Sequence, residues 1–130
     1  MKKIPLVYVI EDDDVYRKYI NIVLKKKCQL EPQLFCDLSS AWSSIDQVVP
    51  DIVVLDYRLP DFNGDEWMIR LSETCRLDQC HVIVLTGYRL TEKETFGLYS
   101  LGVENIFTKP LDKELFVATI QEKIALIAAD

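Results

Sequence analysis

Apolar residues fall along this chain in two alternating rhythms. Short runs without a helical period span Leu6 to Ile10, Gln33 to Cys36, Ile52 to Leu55, His81 to Thr86 and Asn105 to Thr108. Runs of this length, rich in Val, Ile and Leu, read as strands buried on both faces, as in a parallel sheet. Between them the spacing changes to three and four residues, the signature of a helix with one buried face. Val15, Tyr19, Ile22, Val23 and Lys26 mark such a face, opened by Asp13 or Asp14 and ending near Lys27. Asp37 or Ser39 opens a second helix carrying Ala41, Trp42, Ile45 and Val48-Val49, closed by Pro50. Asp65, after Gly64, caps a third with Trp67, Met68 and Leu71, running to about Thr74. Thr91 and Glu94 form a capping box for a helix through about Ser100, ended by Gly102. Asp112 caps the last, with Leu115, Phe116, Ile120, Ile124 and Ile127 at helical spacing.

Strands alternating one by one with helices imply an α/β domain, a doubly wound parallel sheet covered on both faces. Right-handed crossovers leave few topologies for it. The 130 residues make one domain, with no repeat, low-complexity tract or linker.

Composition narrows the partners. A net charge of −6 disfavours direct nucleic-acid binding, which needs clustered Lys and Arg. The basic run Lys25-Lys26-Lys27 falls at a helix end, where cations complement the dipole. Cys28, Cys36, Cys75 and Cys80 show no paired spacing, and the single His81 opens an apolar run, so a zinc site is not expected. Buried or half-buried thiols in a reducing cytosol are the expectation. No stretch reaches the roughly 20 apolar residues of a membrane span, and no signal peptide is read, so the chain is expected to be cytoplasmic.

The chemistry lies at the strand ends. Ile52 to Leu55 stops at Asp56; the first strand ends at Glu11-Asp12, the fourth at Thr86 and the fifth at Lys109. In a parallel sheet these ends share one edge, where such folds place their ligands. Three carboxylates there repel and raise one another's pKa unless a cation intervenes. Lys109 supplies one charge, and a hard divalent ion with oxygen ligands, Mg²⁺ above all, suits the rest. A carboxylate beside a metal and a lysine is a plausible nucleophile towards phosphorus.

These residues resemble the receiver domain of two-component response regulators, the family of the bacterial chemotaxis receiver. The order and spacing match over the whole chain: Asp56 is forty-four residues after Asp12, Leu59-Pro60 and Gly64 follow, Thr86 stands thirty beyond Asp56, and Lys109-Pro110 twenty-three beyond that. The resemblance implies a five-stranded flavodoxin-like sheet in the order 2-1-3-4-5. It implies that Asp56 accepts a phosphoryl group from a sensor histidine kinase or a phosphotransfer protein. Glu11, Asp12, Asp56 and the backbone carbonyl of Arg58 would bind Mg²⁺ (or Mn²⁺), Thr86 would move to the phosphoryl group, Lys109 would pair with it, and the Lys109-Pro110 peptide would be cis. Asp13 and Asp14 are assigned to helix capping. A phosphoacceptor of this kind assists its own phosphorylation and dephosphorylation and is not a classical enzyme.

Two departures bear on signalling. Ile106 stands where the family usually carries the Tyr or Phe that swings with the threonine, and Phe107 beside it is expected to belong to the core. By the same resemblance, Arg58 and Tyr88, two residues beyond Asp56 and Thr86, would flank the phosphoryl site, and their bulk predicts a long-lived phosphorylated state. The chain ends at Ala128-Ala129-Asp130, which leaves no output domain: either a stand-alone receiver or a part of a longer regulator. The fourth helix, fifth strand and fifth helix, with Thr95, Tyr99, Ile106 and Lys113, would form the signalling surface, acting as a monomer or through a phosphorylation-dependent homodimer. Two rivals stand against this reading. An Asp-dependent phosphatase wants a second Asp where Arg58 stands. A pseudo-receiver, a protein-interaction module that is not phosphorylated, would be expected to have lost an acid, the threonine or the lysine.

Overall fold

Each apolar run becomes a strand, and all of them pair in one parallel sheet. A computed structural model of the chain describes residues 4–59, 64–73, 79–87 and 89–129. In chain order the elements are β1 (Val7–Ile10), α1 (Asp14–Cys28), β2 (Gln33–Phe35), α2 (Leu38–Ile45), β3 (Ile52–Asp56), α3 (Gly64–Glu73), β4 (His81–Thr86), α4 (Glu92–Ser100), β5 (Asn105–Thr108) and α5 (Lys113–Ala128). The strand order is β2-β1-β3-β4-β5, as expected.

Alternation of side chains across the strands splits the core in two. Val7, Val9, Val54, Ile83, Leu85 and Phe107 face α1 and α5. Tyr8, Ile10, Val53, Leu55, Val82 and Val84 face α2, α3 and α4. Each fully buried aliphatic side chain contributes about 1.5–3 kcal/mol, and β3 is buried at all five positions. Trp42 of α2 and Trp67 of α3 meet edge to face with centroids 6.0 Å apart. Phe107 packs edge to face on Phe116 of α5 at 5.7 Å, a core residue as expected.

Several helices differ from the sequence reading. On α1 the buried residues are Ile20, Val23, Leu24 and Cys28, whereas Val15 and Ile22 are exposed. The helix carries two overlapping apolar stripes, and packing against the sheet selects the one through Ile20. On α5 Leu115 is exposed; Thr119 and Lys123 are buried instead. The Lys123 ammonium lies 3.8 Å from Glu104 and 3.6 Å from Glu122, which supplies the partners a buried charge needs. Helix α2 ends at Ile45 rather than running to Pro50, and the chain leaves it through a turn in which the Ser44 carbonyl accepts from the Gln47 and Val48 N–H groups. The Tyr8 hydroxyl donates to the Val48 carbonyl at 3.1 Å and holds that turn in place.

The caps follow the acids. Asp13 caps α1, accepting from the N–H groups of Val15 and Tyr16, and Asp37 caps α2. The capping box of Thr91 and Glu94 opens α4, and Asp112 caps α5. Asp65 is not the cap of α3: the helix begins at Gly64, and Asp65 sits inside its first turn. Gly102 takes φ 108°, a left-handed value that suits glycine where α4 turns towards β5. Cys28 is buried and Cys80 half-buried, but Cys36 is exposed just past the end of edge strand β2. Thr74, Cys75, Tyr88 and Pro60 lie outside the described residues.

Candidate functional site

Strand register decides which side chains meet at the carboxyl edge. Leu55 pairs with Ile10 and Asp56 with Leu85, so Glu11, one residue past Ile10, arrives beside Asp56. Thr86 pairs with Thr108, which brings Lys109 to the same edge. The Lys109 N–H donates to the Thr86 carbonyl at 2.8 Å, and Lys109-Pro110 is cis, as expected.

One carboxylate oxygen from each of Glu11, Asp12 and Asp56 lies within 4.8 Å of the others. Glu11 and Asp56 are buried, and Asp12 is exposed at the rim. The Lys109 ammonium binds a Glu11 carboxylate oxygen directly and stands 3.8 Å from the Asp56 carboxylate. It also lies 4.5 Å from the centre of the Tyr16 ring, whose hydroxyl accepts from the Leu111 N–H at 3.1 Å. Arg17 donates to the Glu11 carbonyl at 2.8 Å and anchors the loop from below.

Burial, then the hydrogen bond and charge of Glu11, push the Asp56 carboxyl up to about 8 against the opposing pull of Lys109. Burial pulls the Lys109 ammonium down, but Glu11 and Asp56 outweigh it and raise it. One ammonium is therefore too little for this set of acids. Three hard oxygen donors with an excess of negative charge fit a divalent cation such as Mg²⁺.

The expected residues divide accordingly. Glu11, Asp12, Asp56 and Lys109 come together, and Thr86, almost fully buried, stands on the same edge. Arg58 lies two residues beyond Asp56, its side chain turned towards Glu94 on α4 at 3.5 Å. Ile106 is half-buried beside Val84 and packs into the core under α4, on the strand face that Thr86 continues. Tyr88 is outside the described residues. Sequence reading missed Tyr16 and Arg17, which present no spacing signal, and the contact of Tyr57 and Arg58 with Glu94. Tyr57 and Glu94 are thirty-seven residues apart, and only the fold pairs them.

A doubly wound parallel sheet with an acidic pocket and a lysine at its carboxyl edge defines a class of signalling domains. Residues 7–121 match the model of the response regulator receiver domain, and the chain belongs to that family. It is similar to response regulator Rre1 of Synechocystis, 22% identical over 90% of this chain and 50% of Rre1. It is also similar to the phosphate regulon transcriptional regulatory protein PhoB of Escherichia coli, 27% identical over 88% of this chain and 49% of PhoB. The chain thus spans about half the length of these relatives. Among solved structures, the signal receiver domain of a DNA-binding response regulator from Colwellia psychrerythraea superposes with a TM-score of 0.83. It is 26% identical, covering 92% of this chain and 97% of that one. Among the described residues no helix is long and apolar enough to cross a membrane.

Proposed function

We propose that Asp56 is the phosphoryl acceptor of a cytoplasmic phosphorelay, taking the group from the phosphohistidine of a sensor kinase or a phosphotransfer protein. The observation that carries this reading is the meeting of Glu11, Asp12 and Asp56 within 4.8 Å beside Lys109. A carboxylate oxygen of Asp56 attacks phosphorus, the phosphorus–nitrogen bond of the donor breaks, and the imidazole leaves neutral after taking up a proton. Lys109 shifts from Glu11 to the new phosphoryl oxygens, and the Thr86 hydroxyl donates to another. Glu11, Asp12, Asp56 and the Arg58 carbonyl would hold Mg²⁺ (or Mn²⁺), which when bound supplies positive charge for the transferring oxygens.

An apolar groove of about 340 Å³, lined by Val15, Tyr16, Tyr19, Pro110 and Leu111, flanks Lys109 and gives a donor protein a place to seat. The chain is an acceptor that assists its own phosphorylation and dephosphorylation rather than a classical enzyme. Its output is read from the face of α4, β5 and α5, by a partner protein, by a further domain or by a second copy of the chain. Neither nucleic acid nor membrane is a direct partner in this reading. Incubation with acetyl phosphate and Mg²⁺ is expected to add one phosphoryl group to the intact mass, and Asp56→Asn to abolish it. A wild-type protein that stays unmodified would instead be a pseudo-receiver, an interaction module without phosphotransfer.

A further inference from the structure

Glu94 uses its two carboxylate oxygens for different contacts. Oε1 accepts from the Thr91 N–H at 3.0 Å, and Thr91 Oγ1 accepts from the Glu94 N–H at 3.1 Å, which closes the capping box of α4. Oε2 reaches across to β3: it lies 3.5 Å from Nη2 of Arg58 and 3.5 Å from the Tyr57 hydroxyl. The same hydroxyl donates to Asp65 of α3 at 3.2 Å. Tyr57 is buried, its N–H donates to the Leu85 carbonyl of β4 at 2.8 Å, and the Arg58 guanidinium sits 5.5 Å over its ring. The two residues that follow Asp56 therefore join the end of β3 to α3 and α4. Ile106 packs under α4 but has no polar atom with which to pass on a change in hydrogen bonding.

We infer that Tyr57, Arg58 and Glu94 form a latch that ties the position of α4 to the state of Asp56, in the role that Ile106 cannot fill. The inference rests on the reading of Asp56 as phosphoryl acceptor. In the arrangement described, Asp56 is an unmodified aspartate and Lys109 is engaged by Glu11, so the latch belongs to the unphosphorylated form. Phosphorylation turns the single negative charge of the Asp56 carboxylate into about two, carried on phosphoryl oxygens that project beyond it two residues from Arg58, and these compete with Glu94 for its guanidinium. Once Arg58 is drawn away, Glu94 faces Asp65 across a phenol with a single proton to give, and the N-terminus of α4 is released. The capping box is untouched, so the helix moves as an intact unit. The Arg58 side chain is 58% exposed and that of Glu94 29%, so water screens the pair and the latch biases the equilibrium rather than locking it.

Glu94→Gln isolates the latch, because glutamine also serves in a capping box while the charge facing Arg58 is lost. Two titrations with beryllofluoride and Mg²⁺, a phosphoryl mimic, would be compared with hydrogen exchange across residues 91–100. Breaking a contact of the unphosphorylated form should tighten the apparent affinity for the mimic roughly three- to tenfold, since coupling between sites is reciprocal. In the free variant α4 should already exchange part of the way towards the mimic-bound wild type. Tyr57→Phe should act in the same direction, and the acetyl phosphate adduct should form as in the wild type. If the adduct forms but affinity and exchange match the wild type, or affinity weakens, the latch is refuted while the acceptor reading stands. If the wild type takes no adduct, the acceptor reading fails and the latch with it.

Discussion

At the scale of single residues, the proton on Asp56 is the most informative quantity. Its carboxyl is pushed from 3.8 up to about 8, first by burial and then by Glu11. The folded chain therefore holds this proton more tightly than the unfolded one. Its contribution to stability is fully present below the ordinary carboxylate range and is lost as pH rises through about 8. In metal-free buffer the wild type should lose stability relative to Asp56→Asn between about pH 4 and about pH 8, measured by urea denaturation. Mg²⁺ should offset that loss, and its affinity should rise with pH over the same interval because it displaces the proton. Parallel pH profiles for the two proteins would contradict the assignment. Thiol chemistry gives a second residue-level test. Burial, then Glu104 and Asp51, push the Cys80 thiol up to about 12, and burial also raises Cys28, while Cys36 is exposed. Peptide mapping after brief alkylation at neutral pH should find Cys36 modified and Cys28 and Cys80 protected until the protein is denatured. That exposure was not legible in the sequence, since Cys36 follows an apolar pair on a strand that turns out to be the edge of the sheet.

Among the elements, strands and caps were more legible than helix faces. His81–Thr86 and Asn105–Thr108 are bounded as their apolar runs predict, and Asp112 caps α5 as its position before a helical period predicts. A strand buried on both faces needs only an apolar run, and a cap needs only one side chain near free N–H groups. A helix face needs a partner, and α1 offers two apolar stripes between which only packing chooses. Removing the cap checks the local argument: Asp112→Ala loses the acceptor for the Leu115 N–H, 3.1 Å away. It should cost about 1 kcal/mol and lower the melting temperature by a few degrees. A change within error would mean that α5 is held by packing alone.

For the molecule as a whole, the proposed acceptor site and the inferred relay differ in how they are encoded. Four strand ends bring these groups, two from β1 and one each from β3, β4 and β5, and the parallel sheet collects them, so Glu11, Asp12, Asp56, Thr86 and Lys109 were readable from spacing. The relay is a matter of long-range contact. Ile106 could be seen as a departure, but the pairing of Arg58 with Glu94 emerges only when α4 lies against the end of β3. Ile106→Tyr should therefore add little to the response of α4 to a phosphoryl mimic, measured by hydrogen exchange. A large gain would make position 106 the principal relay. The expectation that Arg58 and Tyr88 prolong the phosphorylated state has its own test: replacing either with alanine should shorten the half-life of the acyl phosphate after the donor is removed. An unchanged decay would remove them from control of water attack.

The central claim is that phosphorus becomes bonded to Asp56 and to no other acid in the pocket. Borohydride reduction of the acetyl phosphate-treated protein, followed by peptide sequencing in a mass spectrometer, reads that bond directly, because it converts an aspartyl phosphate to homoserine. The account predicts homoserine at position 56, dependent on Mg²⁺, with Glu11 and Asp12 unchanged. Reduction at Asp12 or Glu11, or at no residue in a protein that binds Mg²⁺, would contradict it.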